Sequence, residues 1–294
     1  MSTSDTLASQ TIPSADAAGA VGMPRSNRSG VTPPNNAPPG LTIARATHVG
    51  RVRERNEDAC VVLDCTAWGE AARADLALLV VADGMGGHER GEMASLLAAQ
   101  VAAAHVVQDV FVPFLARQVR DGQHRPIHEA LVEAVRAANA AVLRDVPGGG
   151  TTLTVALVFG ARVYIAHVGD CRAYMYDEGG LRCITRDHSL VARLVQSGQV
   201  TAEEALAHRN VLYRAVGQHE TLDVDTYTEP LPAGASLVVC SDGLWGTVGD
   251  ADMAAILRAA PDAWTAVERL VAAAIERGGG DNITVLIATR SRDA

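Results

Sequence analysis

The chain has 294 residues, 48% hydrophobic and 20% charged, with a formal net charge of −9 at pH 7. That is the composition of a globular protein of one large or two small domains. An acidic balance without any basic tract argues against nucleic acid as a partner. No lysine occurs at all, which excludes both the Gly-Lys-Ser/Thr phosphate loop and the strand lysine of a protein kinase.

Residues 1–40 are rich in Ser, Ala, Pro, Gly and Asn and hold six of the twelve prolines. Their apolar residues show no period, so the segment cannot bury enough surface to offset its ordering entropy. A disordered tail is expected there, either a tether or without function. No basic start leads into an apolar core, so no signal peptide is expected. The longest uninterrupted apolar run, Leu76 to Ala82, is far too short to span a membrane. Five scattered cysteines without a close pair fit reduced thiols. The expectation is a cytoplasmic protein without membrane contact.

From residue 41 to 294 the chain reads as one domain. "ACVVLD" and "LALLVVAD" are strand-like, Glu92 to Val110 has helical Ala/Leu/Val content, and Pro126 opens a second helix to about Arg144. Strands follow at "TTLTVALVF", "RVYIAHVG", "RAYMYD" and "LRCIT", the last after the Glu178-Gly179-Gly180 turn. "LVARLVQSG" and Thr201 to His208 read as short helical pieces. "ASLVVCSD" is a strand leading to helices over Asp250–Ala259 and Ala263–Arg277, and "ITVLIAT" is the last strand. Strands grouped between helix pairs, without strict alternation, predict mostly antiparallel sheets flanked by helices in an α+β layered domain.

Acidic residues recur at the ends of the apolar strands. "ERNEDA" places Glu57 and Asp58 at a strand mouth, "VVADGMGG" ends in Asp83, "AHVGDCR" in Asp170 and "LVVCSDGLW" in Asp242, while "GGGDNITV" sets Asp281 before a strand. Any one Asp-Gly of this kind is usually a turn. Five together suggest one oxygen-lined site, whose mutual repulsion a hard divalent cation would relieve. Oxygen donors without a His/Cys cluster suit Mg²⁺ or Mn²⁺ over Zn²⁺. His167 reads as a strand histidine with a hydrogen-bond partner, and His88 as a helix cap or a residue behind the ligands. No cysteine has Arg six positions on and Gly-x-Ser-x-Gly is absent, so metal-activated water is favoured over a covalent nucleophile.

In order, "VRERNED", "ADGMGGHERGEMAS", "GGGTTLTVAL", "HVGDCRAY", "TRDHS", "VLYRAVG", "CSDGLW" and "GGGDNITV" resemble the landmarks of the metal-dependent protein phosphatases, the PPM or type 2C family, in its compact bacterial form. The resemblance covers about Thr42 to Thr289. It implies a four-layer αββα fold, two mostly antiparallel sheets flanked by pairs of helices. It implies a protein serine/threonine phosphatase acting on phosphoserine and phosphothreonine through water activated by two Mn²⁺ or Mg²⁺ ions, without a covalent intermediate.

By motif position the resemblance makes Asp83 the bridge between two metals, puts Asp242 and Asp281 on the first, and gives Glu57 and the Gly84 carbonyl to the second. Asp58 orients metal-bound waters from behind, Asp170 with Asp242 holds a third, weaker ion, and Arg53 grips the substrate phosphate. On its own terms Arg53 is a surface arginine in an Arg-rich stretch. The span 188–217 corresponds to the family's flap beside the active site; its plainer reading is a helical connection.

Two positions depart from the family pattern. Met85 stands where many eukaryotic members carry a histidine proposed as general acid, and Cys171 replaces the usual serine. The expected partners are phosphorylated proteins, including a bacterial Ser/Thr kinase and its substrates, with the chain a monomer. The alternatives are a non-catalytic phosphoprotein-binding pseudophosphatase and a phosphatase dedicated to an anti-sigma-factor antagonist.

Overall fold

The computed structural model describes residues 40–68, 73–86, 89–116, 125–196 and 211–292. The tail expected over 1–40 lies outside them except for Gly40, and so do His88, the helical piece at Thr201–His208 and the middle of the 188–217 span. In chain order the elements are β1 (Leu41–His48), β2 (Asp58–Trp68), β3 (Arg73–Met85), α1 (Glu89–Val106), a π-helical stretch (Val107–Phe111), α2 (Val112–Leu115), α3 (Ile127–Asp145), β4 (Gly150–Thr151), β5 (Leu153–Phe159), β6 (Arg162–Val168), β7 (Arg172–Asp177) and β8 (Gly180–Cys183). Then come α4 (Leu190–Gln196), β9 (Asp225–Pro230), β10 (Ser236–Cys240), α5 (Asp242–Trp245), α6 (Asp250–Ala259), α7 (Ala263–Glu276) and β11 (Ile283–Arg290).

The strands form two sheets. One has the order β1-β11-β10-β7-β8; the other runs β2-β3-β5-β6-β9, with β4 paired to the end of β3. Every pairing is antiparallel. This is the expected α+β arrangement of four layers, and the core shows why β3 is so apolar. Leu76, Leu78, Val80 and Ala82 of β3 face α1 and α3, while Ala77, Leu79 and Val81 face the second sheet. A strand buried on both faces reads as a continuous hydrophobic run rather than an alternating one. In the other sheet, Ile283, Val285 and Ile287 of β11 pack on α6 and α7, and Leu286 and Ala288 pack between the sheets.

The helix ends follow local chemistry. Pro126, fixed in φ, precedes the first residue of α3, and the Asp262 carboxylate caps α7 by accepting from the Thr265 amide at 2.7 Å. The run Glu89–Leu115 is long and apolar enough to cross a membrane by length and composition. Its small residues Ala94, Ala98 and Ala102 are fully buried against the sheet and α3, as in a core helix.

Several elements differ from the sequence reading. The helix expected at Glu92–Val110 is α1 and its π-helical extension. The strand expected at "LRCIT" ends at Cys183. β1, β9 and the single turn α5 were not anticipated.

The antiparallel pairing decides where the acids go. β3 and β10 end, and β2 and β11 begin, at the same rim of the sandwich, and the β6–β7 turn reaches that rim as well. Strand ends that look unrelated in sequence are therefore neighbours in space.

Candidate active site

Asp58 opens β2 and Asp83 lies near the end of β3, and the register sets them directly opposite one another. Like charges facing across a ladder destabilise it, so this pairing calls for compensation. Asp242 begins α5 immediately after β10, Asp281 precedes β11, and Asp170 sits in the tight β6–β7 turn. Glu57, Asp83, Gly84, Asp170, Asp242 and Asp281 line one open hollow of about 570 Å³, with Arg53 on its wall. Asp58 lies behind it: one carboxylate oxygen accepts from Ser241 Oγ at 2.7 Å, and the other is buried without a hydrogen-bond partner. The structure thus gathers all eight sequence-predicted site residues at one rim.

The supporting contacts are specific. Both backbone polar groups of Asp83 are held: its N–H donates to Thr152 Oγ1 at 2.9 Å, and its carbonyl accepts from Thr151 Oγ1 and the Thr152 amide, each at 2.9 Å. The Glu57 carboxylate is seated against α1 at Gly91, where a Cβ would meet Oε2 and displace it. The Glu57 carbonyl accepts from Ser95 Oγ at 2.6 Å and from the Gly84 amide at 3.1 Å.

Asn282 joins the two halves of the site. Its Oδ1 accepts from the Glu57 amide at 2.7 Å, and its Nδ2 donates to the carbonyls of Val49 and Arg55, each at 2.9 Å. The loop carrying Arg53 is therefore fastened on both sides. Arg53 itself donates to Asp281 Oδ2 at 2.8 Å while remaining half exposed, its guanidinium within reach of the hollow. Thr152, Ser241 and Asn282 were not read as site residues from sequence; their work is done on backbone and carboxylates remote in the chain.

Electrostatics report the crowding. Burial pushes Asp58 up to about 7, with Asp242 and Asp281 adding to the effect. Burial likewise pushes Asp170 up to about 8, with Asp242 and Asp187 adding to it. Asp83 rises well above the ordinary carboxylate range, from burial first and then from Asp58, Asp242, Asp170 and Asp281. His167 behaves as expected for a strand histidine. It is fully buried, bonded to Thr154 Oγ1 at 2.9 Å and the Arg186 carbonyl at 3.1 Å, and burial brings it down to about 3, so it is neutral.

Could these residues hold a cation? Among the described residues no three His, Cys, Asp or Glu side chains stand grouped closely enough to hold a metal ion as they are placed; the acids line a shared hollow instead. The charged donor set there is oxygen only, and the buried, unpartnered oxygen of Asp58 stands directly behind it. Several carboxylates with carbonyl and hydroxyl oxygens nearby match the preferences of Mg²⁺ or Mn²⁺. The residues fit the group.

Comparison with known proteins agrees. Residues 48–276 match the family model described as Protein phosphatase 2C. The chain belongs to the protein phosphatase 2C family. It is 34% identical over 247 residues to the serine/threonine phosphatase stp of Listeria innocua, covering 83% of this chain and 94% of that protein. The crystal structure of the Mycobacterium tuberculosis serine/threonine phosphatase PstP/Ppp matches with a TM-score of 0.68 at 33% identity, over 86% of this chain and 99% of that one. A structure of the PstP catalytic domain in complex with two manganese ions matches with a TM-score of 0.67 at 33% identity, over 87% and 100%. This 2C-type protein is accordingly a metal-dependent serine/threonine phosphoprotein phosphatase, and its family acts on phosphorylated bacterial proteins.

Proposed function

We propose that this 2C-type phosphatase hydrolyses phosphoserine and phosphothreonine in proteins with two Mn²⁺ or Mg²⁺ ions held by Asp83, Asp242, Asp281, Glu57 and the Gly84 carbonyl, and that it opposes a Ser/Thr kinase. The observation that carries this is the opposition of Asp58 and Asp83 at a rim where Glu57, Asp170, Asp242 and Asp281 share one hollow. When bound, the cations supply a water of lowered pKa and neutralise charge on the phosphoryl oxygens. The protein's part is placement. Arg53 offers a planar fork to two phosphate oxygens and is steadied for it by Asp281 and the Asn282-fastened loop. Asp58, fixed by Ser241, is set to take or return a proton from behind the ligands. Asp170 adds a carboxylate on the side facing α5, where it would hold a weaker ion with Asp242.

Met85 ends β3 beside the hollow, with the Gln218 amide 3.6 Å from its sulfur. A thioether cannot donate a proton, so the leaving oxygen takes one from water, another side chain or solvent. An intact acidic set favours catalysis over a purely binding role. Full-length protein should release phosphate from p-nitrophenyl phosphate and from a phosphothreonine peptide with Mn²⁺, and lose that activity with chelator. Turnover unaffected by chelator, or tight peptide binding without release, would overturn the proposal.

A further inference from the structure

The turn that carries Asp170 is held by residues that none of the roles above involve. Gly169 has φ +110° and lies so close to Thr152 that a Cβ would come within 2.5 Å of its side chain, so the turn has no freedom to tolerate another residue. Both backbone polar groups of Gly169 are taken by one residue. The Gly169 N–H donates to His188 Nδ1 at 3.1 Å, and the Gly169 carbonyl accepts from the His188 amide at 2.7 Å. On the other side of the turn, Trp245 Nε1 donates to the Asp170 carbonyl at 3.0 Å. The guanidinium of Arg172 stacks 3.6 Å from the Trp245 ring and forks onto Asp187, the residue before His188, at 3.0 and 2.8 Å.

His188 is 2% exposed, and its other ring edge looks away from the turn. Since Nδ1 accepts, the ring proton of the neutral form stands on Nε2, 3.2 Å from Asp225 Oδ2 on β9. Asp225 also receives Arg214 Nη1 at 2.7 Å. Arg214 belongs to the returning end of the 188–217 span, whose described ends are zipped together: the Tyr213 amide donates to the His188 carbonyl, the Leu190 amide to the Val211 carbonyl, and Ser189 bridges Leu212. Leu212 lines the hollow.

From this geometry we infer that His188 is a positioning residue that locks the Gly169–Asp170 turn through Nδ1 and ties it, through Nε2 and Asp225, to the base of the flap. The inference rests on the phosphatase reading for its kinetic consequence, though not for the contact itself. A plain helical connection would not need a buried imidazole on a glycine amide; here the ring satisfies an N–H that would be costly to bury unpaired.

Two substitutions separate the two ring edges. His188→Gln places an amide near the position of Nε2 and leaves the Gly169 N–H without its acceptor; His188→Asn keeps an oxygen near the position of Nδ1 and gives up Asp225. With full-length protein and Mn²⁺, His188→Gln is expected to lower kcat for p-nitrophenyl phosphate about 10-fold or more with KM changed less than about threefold, and His188→Asn to restore most of kcat. In an Asp170→Ala background the Gln substitution should change kcat by less than about twofold, because the residue it positions is gone. Hydrogen exchange at the Gly169 amide should quicken in the Gln variant and stay slow in the Asn variant, with or without Mn²⁺. Equal losses in both variants, undiminished loss in the Asp170→Ala background, or unchanged Gly169 exchange would overturn the assignment. If the unsubstituted protein released no phosphate, the phosphatase reading would fail, and the exchange measurement would still decide the role of His188.

Discussion

Asp83→Asn is expected to lower Mn²⁺-dependent phosphate release by at least about 10²-fold, the scale seen when a single group stabilising developing charge is removed. The side chain is nearly isosteric, so the backbone contacts with Thr151 and Thr152 survive. What disappears is the anion. An amide offers one neutral carbonyl oxygen where the carboxylate offers two charged ones, and Asp83 is the acid proposed above to serve both cations at once. The same change removes one member of the Asp58–Asp83 opposition, so in chelator at alkaline pH the variant should melt higher than the unsubstituted protein. Lost activity with gained stability separates this account from simple misfolding. Near-normal Mn²⁺-dependent rates in a folded variant would contradict it.

The second large effect is on stability against pH in cation-free protein. Asp58 and Asp170 are pushed up to about 7 and about 8, and Asp83 well above its ordinary value. The unfolded chain gives up these protons near pH ~4, so between there and pH ~8 the folded state binds more protons than the unfolded one. Stability from this source is complete below the unfolded-state pKa and is lost as pH rises through the folded-state values. Each tenfold difference in proton affinity between the two states is worth about 1.4 kcal/mol, so the raised values of Asp58 and Asp170 alone make the loss several kcal/mol. Thermal melts in chelator should fall between about pH 5 and 8. Saturating Mn²⁺ should flatten that slope by replacing the protons with cations and binding only the folded state. A melting temperature independent of pH in chelator would show that the acids do not crowd as described.

The parts of the molecule legible in the sequence share a physical cause. β3, β10 and β11 are buried on both faces, and such strands announce themselves as continuous apolar runs. An Asp placed against such a run stands out, which is why Asp83, Asp242 and Asp281 could be picked out without coordinates. β9 is an edge strand whose exposure alternates along "DTYTEP", and β1 buries only Ala44 completely; neither carries enough apolar weight to be seen. β1 also pairs with β11, bringing together the two ends of the domain, which no local pattern can reveal.

The supporting residues were hidden for a different reason. Asn282 acts on a loop 225 positions away, Thr152 on a strand 69 away and His188 on a turn 19 away. In each case the chemistry is a hydrogen bond to another residue's backbone, and a polar side chain in a loop gives no sign of which backbone it will meet. The acids were visible as residues; that Asp58 faces Asp83 became visible only with the register.

Whether these acids hold a pair of hard cations can be read from crystals of the full-length protein grown with Mn²⁺ and measured for manganese anomalous scattering. Two strong peaks are expected in the hollow, both within coordination distance of Asp83, one shared with Asp242 and Asp281 and the other with Glu57 and the Gly84 carbonyl. Absence of manganese from the hollow at saturating Mn²⁺, or a single peak out of reach of Asp83, would contradict it.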